Sequence, residues 1–398
     1  MAGITGQGTT FNLPNYTGEL FQISPDDTPL LSAIGGLTGG KETKSTEFEW
    51  QTYDLRSPEE NRSRLEGANA QNSDQRVRAN VSNVVEIHQE TVEVSYTKQA
   101  ATGQHSGVNN DASNPVTAEL PWQIEQALKA KATDVEASFI LGQYQKPVDN
   151  TTARKTRGLL QAITTNVIDL GTAFTGLAAA TDTITHTATP LADNDAVRFT
   201  SVGASTAIKV NRVYYVVGKT TNAFKVSATK GGAPINIGTA TVDVSKLATA
   251  GPTKDTYDEL FQRVYDNGGM REGATQTIIV GSRQKRNLSE AYARAYGKYQ
   301  EQSRNVGGVN FTTIQTDFGT FNVLLDRWLP ADVFNVTSLE QLAPVFLNIP
   351  GKGHFFEEEL AKIGASDRVQ LYGEIGLEYG NEKAHGVIRG LPVAPVWA

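Results

Sequence analysis

Two segments of this chain alternate apolar and polar residues with period two, and in each the alternation changes sides midway. Residues 46–55 read Thr-Glu-Phe-Glu-Trp-Gln-Thr-Tyr-Asp-Leu, which puts Phe48 and Trp50 on one face and Tyr53 and Leu55 on the other. In residues 84–96, Val92, Val94 and Tyr96 share one face while Val85 and Ile87 share the opposite one. Period two is the signature of a strand with two unlike faces. A change of side means that such a strand packs on its own domain at the base and on something else near its tip. Antiparallel pairing of the two segments, in a register left open, gives a long ribbon.

The segments flanking this ribbon are of another kind. Residues 1–45 are rich in Gly and Thr, carry Pro14, Pro25 and Pro29, and contain the run Gly35-Gly36-Leu37-Thr38-Gly39-Gly40. They read as an extended arm whose apolar residues need an external partner. Residues 56–79, between the two strand-like segments, hold Arg56, Arg62, Arg64, Arg76 and Arg78, no Lys, and the acids Glu59, Glu60, Glu66 and Asp74. Arg forms bidentate carboxylate pairs and suits interfaces better than Lys, so an intersubunit ion-pair loop and a solvated loop are both open readings.

A long helix is expected over 117–142, from the stripe Leu120, Ile124, Leu128, Val135 and Phe139, with Pro121 in its first turn and Gly142 and Pro147 ending it. At about 171 the composition turns to Thr, Ala and Val. Short strand signals at 182–188, 195–202, 213–218, 224–229, 234–238 and 241–245 predict a small β-sandwich or barrel across 171–251. Helical periodicity resumes with Tyr257, Leu260, Phe261, Val264 and Tyr265, and Gly268 provides a stop. The β-rich block is therefore expected to be inserted in an α+β host. Further on come a strand over 275–280, a helix near 283–303, strands within 309–328, an apolar run at 345–349 and a last strand pair at 368–379 and 384–389.

Composition narrows the function. Of 398 residues 39% are hydrophobic and only 20% charged, which suits a surface to be covered by neighbours. The net charge of −7 gives no drive toward phosphate neutralisation. There is no Cys, which removes thiol catalysis, disulfides and Cys-ligated zinc. The opening Met1-Ala2-Gly3-Ile4 has no basic segment before an apolar run, and no stretch reaches the roughly 18 apolar residues of a membrane span, so neither signal peptide nor membrane contact is expected.

No catalytic or cofactor site is expected. Gly35-x-x-x-x-Gly40-Lys41-Glu42 imitates a phosphate-binding loop but has Glu where a hydroxyl must hold magnesium. It also lacks the strand before and the helix after. His88, His105, His186, His354 and His385 are scattered without metal-ligand spacing. Neither a nucleophile elbow nor a nominated carboxylate pair is found, and Arg283-Gln284-Lys285-Arg286 reads as a solvated turn.

The order of arm, ribbon with an Arg-rich tip, long helix and mixed α/β region resembles the major capsid protein of tailed bacteriophages, the Hong Kong 97-type fold. Several motifs resemble a capsid family common in phages of actinobacteria. They are Thr5-Gly-Gln-Gly-Thr-Thr-Phe-Asn-Leu-Pro-Asn-Tyr-x-Gly-Glu-Leu-Phe, Ser24-Pro-x-Asp-Thr-Pro-Leu-Leu, Arg64-Leu-Glu-Gly-Ala, Asn83-Val-Val-Glu-Ile-His-Gln-Glu and Arg157-Gly-Leu-Leu. The resemblance covers roughly 1–168 and 253–398, leaving 171–251 without a counterpart.

The resemblance implies an N-arm at 1–45, an E-loop ribbon at 46–98, a spine helix and peripheral domain at 99–170, an inserted β-rich domain at 171–251, and the axial domain with the rest of the peripheral domain at 252–398. Within the last, 309–328 and 366–390 would be peripheral and 330–350 axial. It implies a shell subunit forming hexamers and pentamers of an icosahedral head around double-stranded DNA, in the virion after assembly in the host cytoplasm. The other implied partners are a separate scaffolding protein, since the chain opens directly on its arm, a portal, and optionally a decoration protein. Lys is absent between Lys44 and Lys98, so the isopeptide crosslink of some relatives is not expected. Phe48, Trp50, Tyr53, Leu55, Arg56, Arg62, Arg64 and Arg76, with Phe11, Tyr16, Leu20 and Phe21 of the arm, are the expected intersubunit contacts, Trp50 being the one best suited to intrachain core. A tail or decoration protein, and a secreted enzyme with a β accessory domain, are the alternative readings.

Overall fold

The computed structural model describes residues 22–53, 58, 60, 63–70, 75–100, 118–270, 276–295 and 313–394. Its frame is set by one helix, Glu119–Leu141. At 1.5 Å per residue its 23 residues span about 34 Å. Pro121 falls in its first turn, where no intrahelical donor is lost, and at the other end the Gly142 N–H caps Ser138 O. Val135, Phe139 and Ile140 are buried, as is Ala127, whereas Leu128 is 40% exposed and leaves the expected stripe.

The helix lies across a five-stranded sheet. Its central strand, Ser366–Glu378, is flanked on one side by Glu86–Ser95 and on the other by Phe355–Glu359 and Ala343–Leu347, with Lys41–Thr43 parallel to the last of these. Val92, Val94 and Leu371 meet Leu120, Ile124 and Ala127 of the helix. A second sheet runs in the order Thr313–Thr316, Gly319–Leu325, Gln276–Val280, Phe334–Thr337, Gly386–Arg389, Val167–Asp169. Gln276–Val280 is buried at every position, its Ile278, Ile279 and Val280 as expected of a central strand and its polar Gln276 and Thr277 with them. Helices Lys254–Asp266 and Ser282–Ala295 bury Tyr257, Leu260, Phe261, Val264, Leu288 and Tyr292 in this sheet's core.

Between the sheets lies a common core containing Leu30, Leu31, Phe139, Leu160, Phe346, Leu377 and Val387. Each such side chain, fully buried, contributes about 1.5–3 kcal/mol. The sheets divide the chain differently from the expected grouping. The strands within 309–328 pair with Gln276–Val280, and Ala343–Leu347 pairs with Ser366–Glu378. The last two strands, expected as a pair, belong to different sheets.

The expected ribbon pairing is also corrected. Glu47–Tyr53 pairs with Arg78–Val84, from Glu47↔Val84 to Tyr53↔Arg78, and so meets only the very start of the expected partner 84–96. Glu86–Ser95 instead runs along Ser366–Glu378 for ten residues. The change of side near residue 85 marks the point where the chain leaves the ribbon for the sheet, with Val84 and Val85 both buried at the crossing. A ten-residue ladder with a helix over one face outcompetes continuation of a two-stranded ribbon.

Strands Thr172–Ala180, Thr183–Thr185, Ala196–Ser201, Val213–Val217, Ala223–Ser227 and Ala240–Lys246 close a six-stranded antiparallel barrel with its own core, including Phe199, Val216, Phe224, Val242 and Val244. Strand Thr172–Ala180 was not expected, because its Thr-Ala-Phe-Thr-Gly-Leu-Ala-Ala-Ala lacks β-branched alternation. Conversely, 234–238 forms no strand. The barrel grows from the sheet edge at Val167–Asp169. Leu170 N–H donates to Arg389 O (2.9 Å) and Ala248 N–H to Gly390 O (2.8 Å). Gly390 has φ 75° and a Cβ there would lie 2.5 Å from Gly171 N, so the two crossings require glycine.

Candidate assembly surface

The ribbon has a buried root and a tip that exposes apolar side chains. Its root is fixed by four groups. Phe48 is buried in a cluster with Val85 and Val345. Trp50 stacks with Phe48 (5.9 Å) and meets Tyr379 edge-on (4.8 Å), and its Nε1–H donates to Gly380 O at 2.7 Å. A Cβ on Gly376 would lie 2.7 Å from the Phe48 ring, so the ring needs that glycine. Asn83, fully buried, donates from Nδ2 to Leu377 O (2.7 Å) and Arg157 O (3.2 Å) and accepts at Oδ1 from Arg157 N–H (2.8 Å).

Those bonds tie the ribbon root to the end of Ser366–Glu378 and to the segment after the long helix. Asn83→Ala leaves the Leu377 and Arg157 carbonyls and the Arg157 N–H without this partner. The expected loss is about 1–3 kcal/mol in urea unfolding, with faster amide exchange in Glu47–Tyr53; an unchanged midpoint would show the root to be held by Phe48 and Trp50 alone.

Away from the root the surface changes. Tyr53 is 64% exposed, Leu65 86% and Val77 85%. Arg64 and Arg76 are exposed, and Arg78 donates to Gln51 Oε1 (3.1 Å) across the ribbon. The predicted contact residues thus divide into Phe48 and Trp50, packed within the chain, and Tyr53, Arg64 and Arg76, facing outward. Leu55, Arg56 and Arg62, with Phe11, Tyr16, Leu20 and Phe21, lie outside the described residues. Leu65, Val77 and Asn83 were missed. Leu65 and Val77 lack neighbours of like pattern, whereas Asn83 directly before two valines was a visible polar residue at a strand's buried end. Beside the root a cleft of about 440 Å³ is lined by Thr52, Val81, Arg157, Gln161, Tyr379 and Glu382.

The candidate chemical motifs resolve into structure. Gly35–Gly40 follows a short helix, Pro29–Ile34, and leads into strand Lys41–Thr43 rather than a helix, which is no phosphate cradle. His354 Nε2 pairs with Glu42 (2.8 Å), and this hydrogen bond, with that from Asn348, holds the Glu42 carboxyl below its ordinary range. His186 packs on Phe174, and His88 and His385 are buried; His105 lies outside the described residues. Among the described residues no three His, Asp or Glu are placed to hold a metal, and no helix is long and apolar enough to cross a membrane.

This architecture, two sheets bridged by one long helix with a ribbon standing off them, is shared with solved phage shells. The chain superposes on a cyanophage A-1(L) capsid protein with a TM-score of 0.54 at 12% identity, covering 96% of this chain and 98% of that one. On a capsid protein of cyanophage P-SCSP1u the values are 0.50 and 11%, over 98% and 96%. The fold is that of a capsid subunit. The family model "SU10 major capsid protein" matches residues 3–392, and the chain belongs to that family. It is also 24% identical over 379 residues to the major capsid protein of Escherichia phage Phieco32, covering 92% of this chain and 90% of the relative. The chain is therefore a structural protein of the virion that assembles with copies of itself, not an enzyme, and the tail and decoration readings fall away.

Proposed function

We propose that this chain forms hexamers and pentamers of an icosahedral head around double-stranded DNA, on a Hong Kong 97-type fold. In this reading 1–45 is the N-arm, 46–98 the E-loop, Glu119–Leu141 the spine, and the barrel at 171–251 an inserted domain. The distal ribbon lies on a neighbouring subunit. The observation that carries it is the division of the ribbon into a root anchored by Phe48, Trp50 and Asn83 and a tip exposing Tyr53, Leu65 and Val77. Three large apolar side chains held in water are a liability unless a partner covers them. Arg64, exposed beside Leu65, suits a carboxylate of that partner. One ribbon serves both six-fold and five-fold rings because its root is rigid while its tip contacts are few.

The net charge of −7 supports a wall that does not adhere to its DNA. Assembly in the host cytoplasm with a separate scaffolding protein, a portal and an optional decoration protein completes the proposal. The test is the triple substitution Tyr53→Ser, Leu65→Ser, Val77→Ser. These side chains lie outside the core, so the subunit should keep its melting temperature within about 2 °C, while closed shells seen by electron microscopy fall at least about tenfold, since roughly 1 kcal/mol lost per contact multiplies over a shell. Shells at the normal yield would overturn the ribbon-tip reading.

A further inference from the structure

We propose that the end of the barrel farthest from the body is an electrostatic contact surface for the acidic body of a second copy of this chain. Residues 171–251 hold seven Lys and Arg against four Asp and no Glu, a net charge of +3. The whole chain carries −7, so everything outside the barrel carries −10. The topology sorts the barrel's charges. The chain enters and leaves beside the body, at Leu170 and Ala248, and Lys246 lies opposite Thr172 at that end. Ala240 pairs with Ala179 and Asp243 with Ser201, so the turn at 181–182 and the loops 202–212 and 228–239 close the other end. There Ile237 N–H and Gly238 N–H donate to Thr181 O, and Ser205 Oγ donates to Ile237 O. The two loops contribute Lys209, Arg212 and Lys230 and contain no acid.

All three cations are exposed, and none has an ion pair among the described residues. The acids nearby are engaged: Asp182 takes Lys225 (2.7 Å), and Asp243 accepts Gly176 N–H (2.7 Å). The loops that carry the cations are fixed in place. Ile208 is buried in the barrel core, and Lys209 N–H donates to Tyr214 Oη (2.9 Å). Asn211, buried at φ 58°, donates its N–H to Phe199 O (3.2 Å). Lys230 Nζ lies 5.7 Å from the Tyr215 ring centre, which steadies the charge without neutralising it. Like charges gathered at one end repel, and an acidic partner relieves that repulsion. Self-assembly supplies such a partner, because every neighbouring copy presents a body of net charge −10. Among its exposed acids are Glu357 and Glu359 of the strand Phe355–Glu359, neither with an ion pair among the described residues. Complementary charge of this kind orients and selects a partner more than it adds affinity.

The contact rests on self-assembly and makes no use of the ribbon. Its test is the triple reversal Lys209→Glu, Arg212→Glu, Lys230→Glu in the full-length chain, beside the charge-keeping variant Lys209→Arg, Arg212→Lys, Lys230→Arg. DNA-free and DNA-filled assemblies are quantified by sedimentation at about 0.1 M and about 1 M salt, where charges are screened beyond about 10 and 3 Å. One exposed ion pair changes a pairwise constant about 1.4- to 5-fold, and such pairs multiply over an assembly. The reversed chain should therefore give at least about tenfold less DNA-free assembly at the lower salt, a gap that narrows at the higher. Its isolated subunit should melt within about 2 °C of the wild type, since the three side chains lie outside the core. The charge-keeping variant should assemble normally. Undiminished DNA-free assembly, a defect confined to DNA-filled particles, or a gap indifferent to salt overturns the contact with a second copy. An equal loss in the charge-keeping variant does so too, by showing a packing role. Failure of the icosahedral reading would appear separately, as wild-type assemblies of another shape.

Discussion

Arg198→Met is expected to destabilise the chain by about 3–5 kcal/mol, because it strands a buried carboxylate. Arg198 is a barrel residue whose side chain leaves the barrel. It is 1% exposed, with Nη1 3.1 Å from Asp332 Oδ2 and Nη2 2.9 Å from Asp169 Oδ2. Asp332 is wholly buried in the body. Burial drives its carboxyl upward, opposed chiefly by the Arg198 charge. Arg389 lies close enough to feel all three charges. Remove Arg198 and Asp332 must take a proton or carry an unpaired charge in the interior.

The double substitution Arg198→Met, Asp332→Asn takes away the charge that needed a partner and should recover more than half of the loss. Urea unfolding gives both values, and proteolysis at the crossings near 170 and 248 reports whether the barrel has loosened. A loss under 1 kcal/mol in the single variant would mean that the barrel is held only by its two backbone crossings.

Acid is expected to act through two buried histidines. His385 Nε2–H donates to Tyr379 O (2.9 Å), and Nδ1 accepts from Thr337 Oγ1, an arrangement that only the neutral ring satisfies. Burial holds His385 at about 4, and burial likewise holds His88 at about 4. Both folded values lie below the ordinary value of 6.5. The unfolded chain therefore binds more protons between 6.5 and 4. Their contribution is whole above 6.5 and is lost as pH falls toward 4, about 2–3 kcal/mol for each ring between pH 7 and 4.5. Glu136 of the long helix, pushed up to about 8 by burial first and the Asp326 charge second, works in the opposite direction, its contribution being lost as pH rises through that value, so the two effects bracket an optimum. Unfolding midpoints of the wild type and His385→Gln at pH 7 and 4.5 check this. Equal slopes in the two proteins would remove His385 from the account.

Much of the fold is legible in the amino-acid sequence. The long helix followed from its stripe and its terminal glycine, with Leu128 the one position misjudged. The helix around Leu260 followed from periodicity and the strand at 276–280 from its β-branched run Thr277-Ile278-Ile279-Val280. The barrel followed from regular short strands, although Thr172–Ala180 escaped because small residues give no period. The ribbon was anticipated but mispaired, since alternation tells which residues share a face and not which strand lies alongside. Tyr53 pointed outward in its pattern, whereas the polar anchor Asn83 has partners nearly three hundred residues away in Leu377 and seventy-four away in Arg157.

What the sequence by itself determined is local: helix and strand identities, the β-rich block, the absence of cysteine chemistry, and the motifs that resemble a capsid family. Local period and turn chemistry depend on neighbours within a few positions, so they are written in the chain order. Only the tertiary structure decided that residues 86–95 leave the ribbon for Ser366–Glu378, that Arg198 reaches out of the barrel to Asp332, and that the buried Glu136 accepts the Leu30 and Leu31 N–H groups at the first turn of Pro29–Ile34. Those outcomes depend on desolvation, which only packing between distant segments imposes. The charges that acquire unusual properties here are ordinary residues in sequence, and burial with the partners it brings together makes them otherwise.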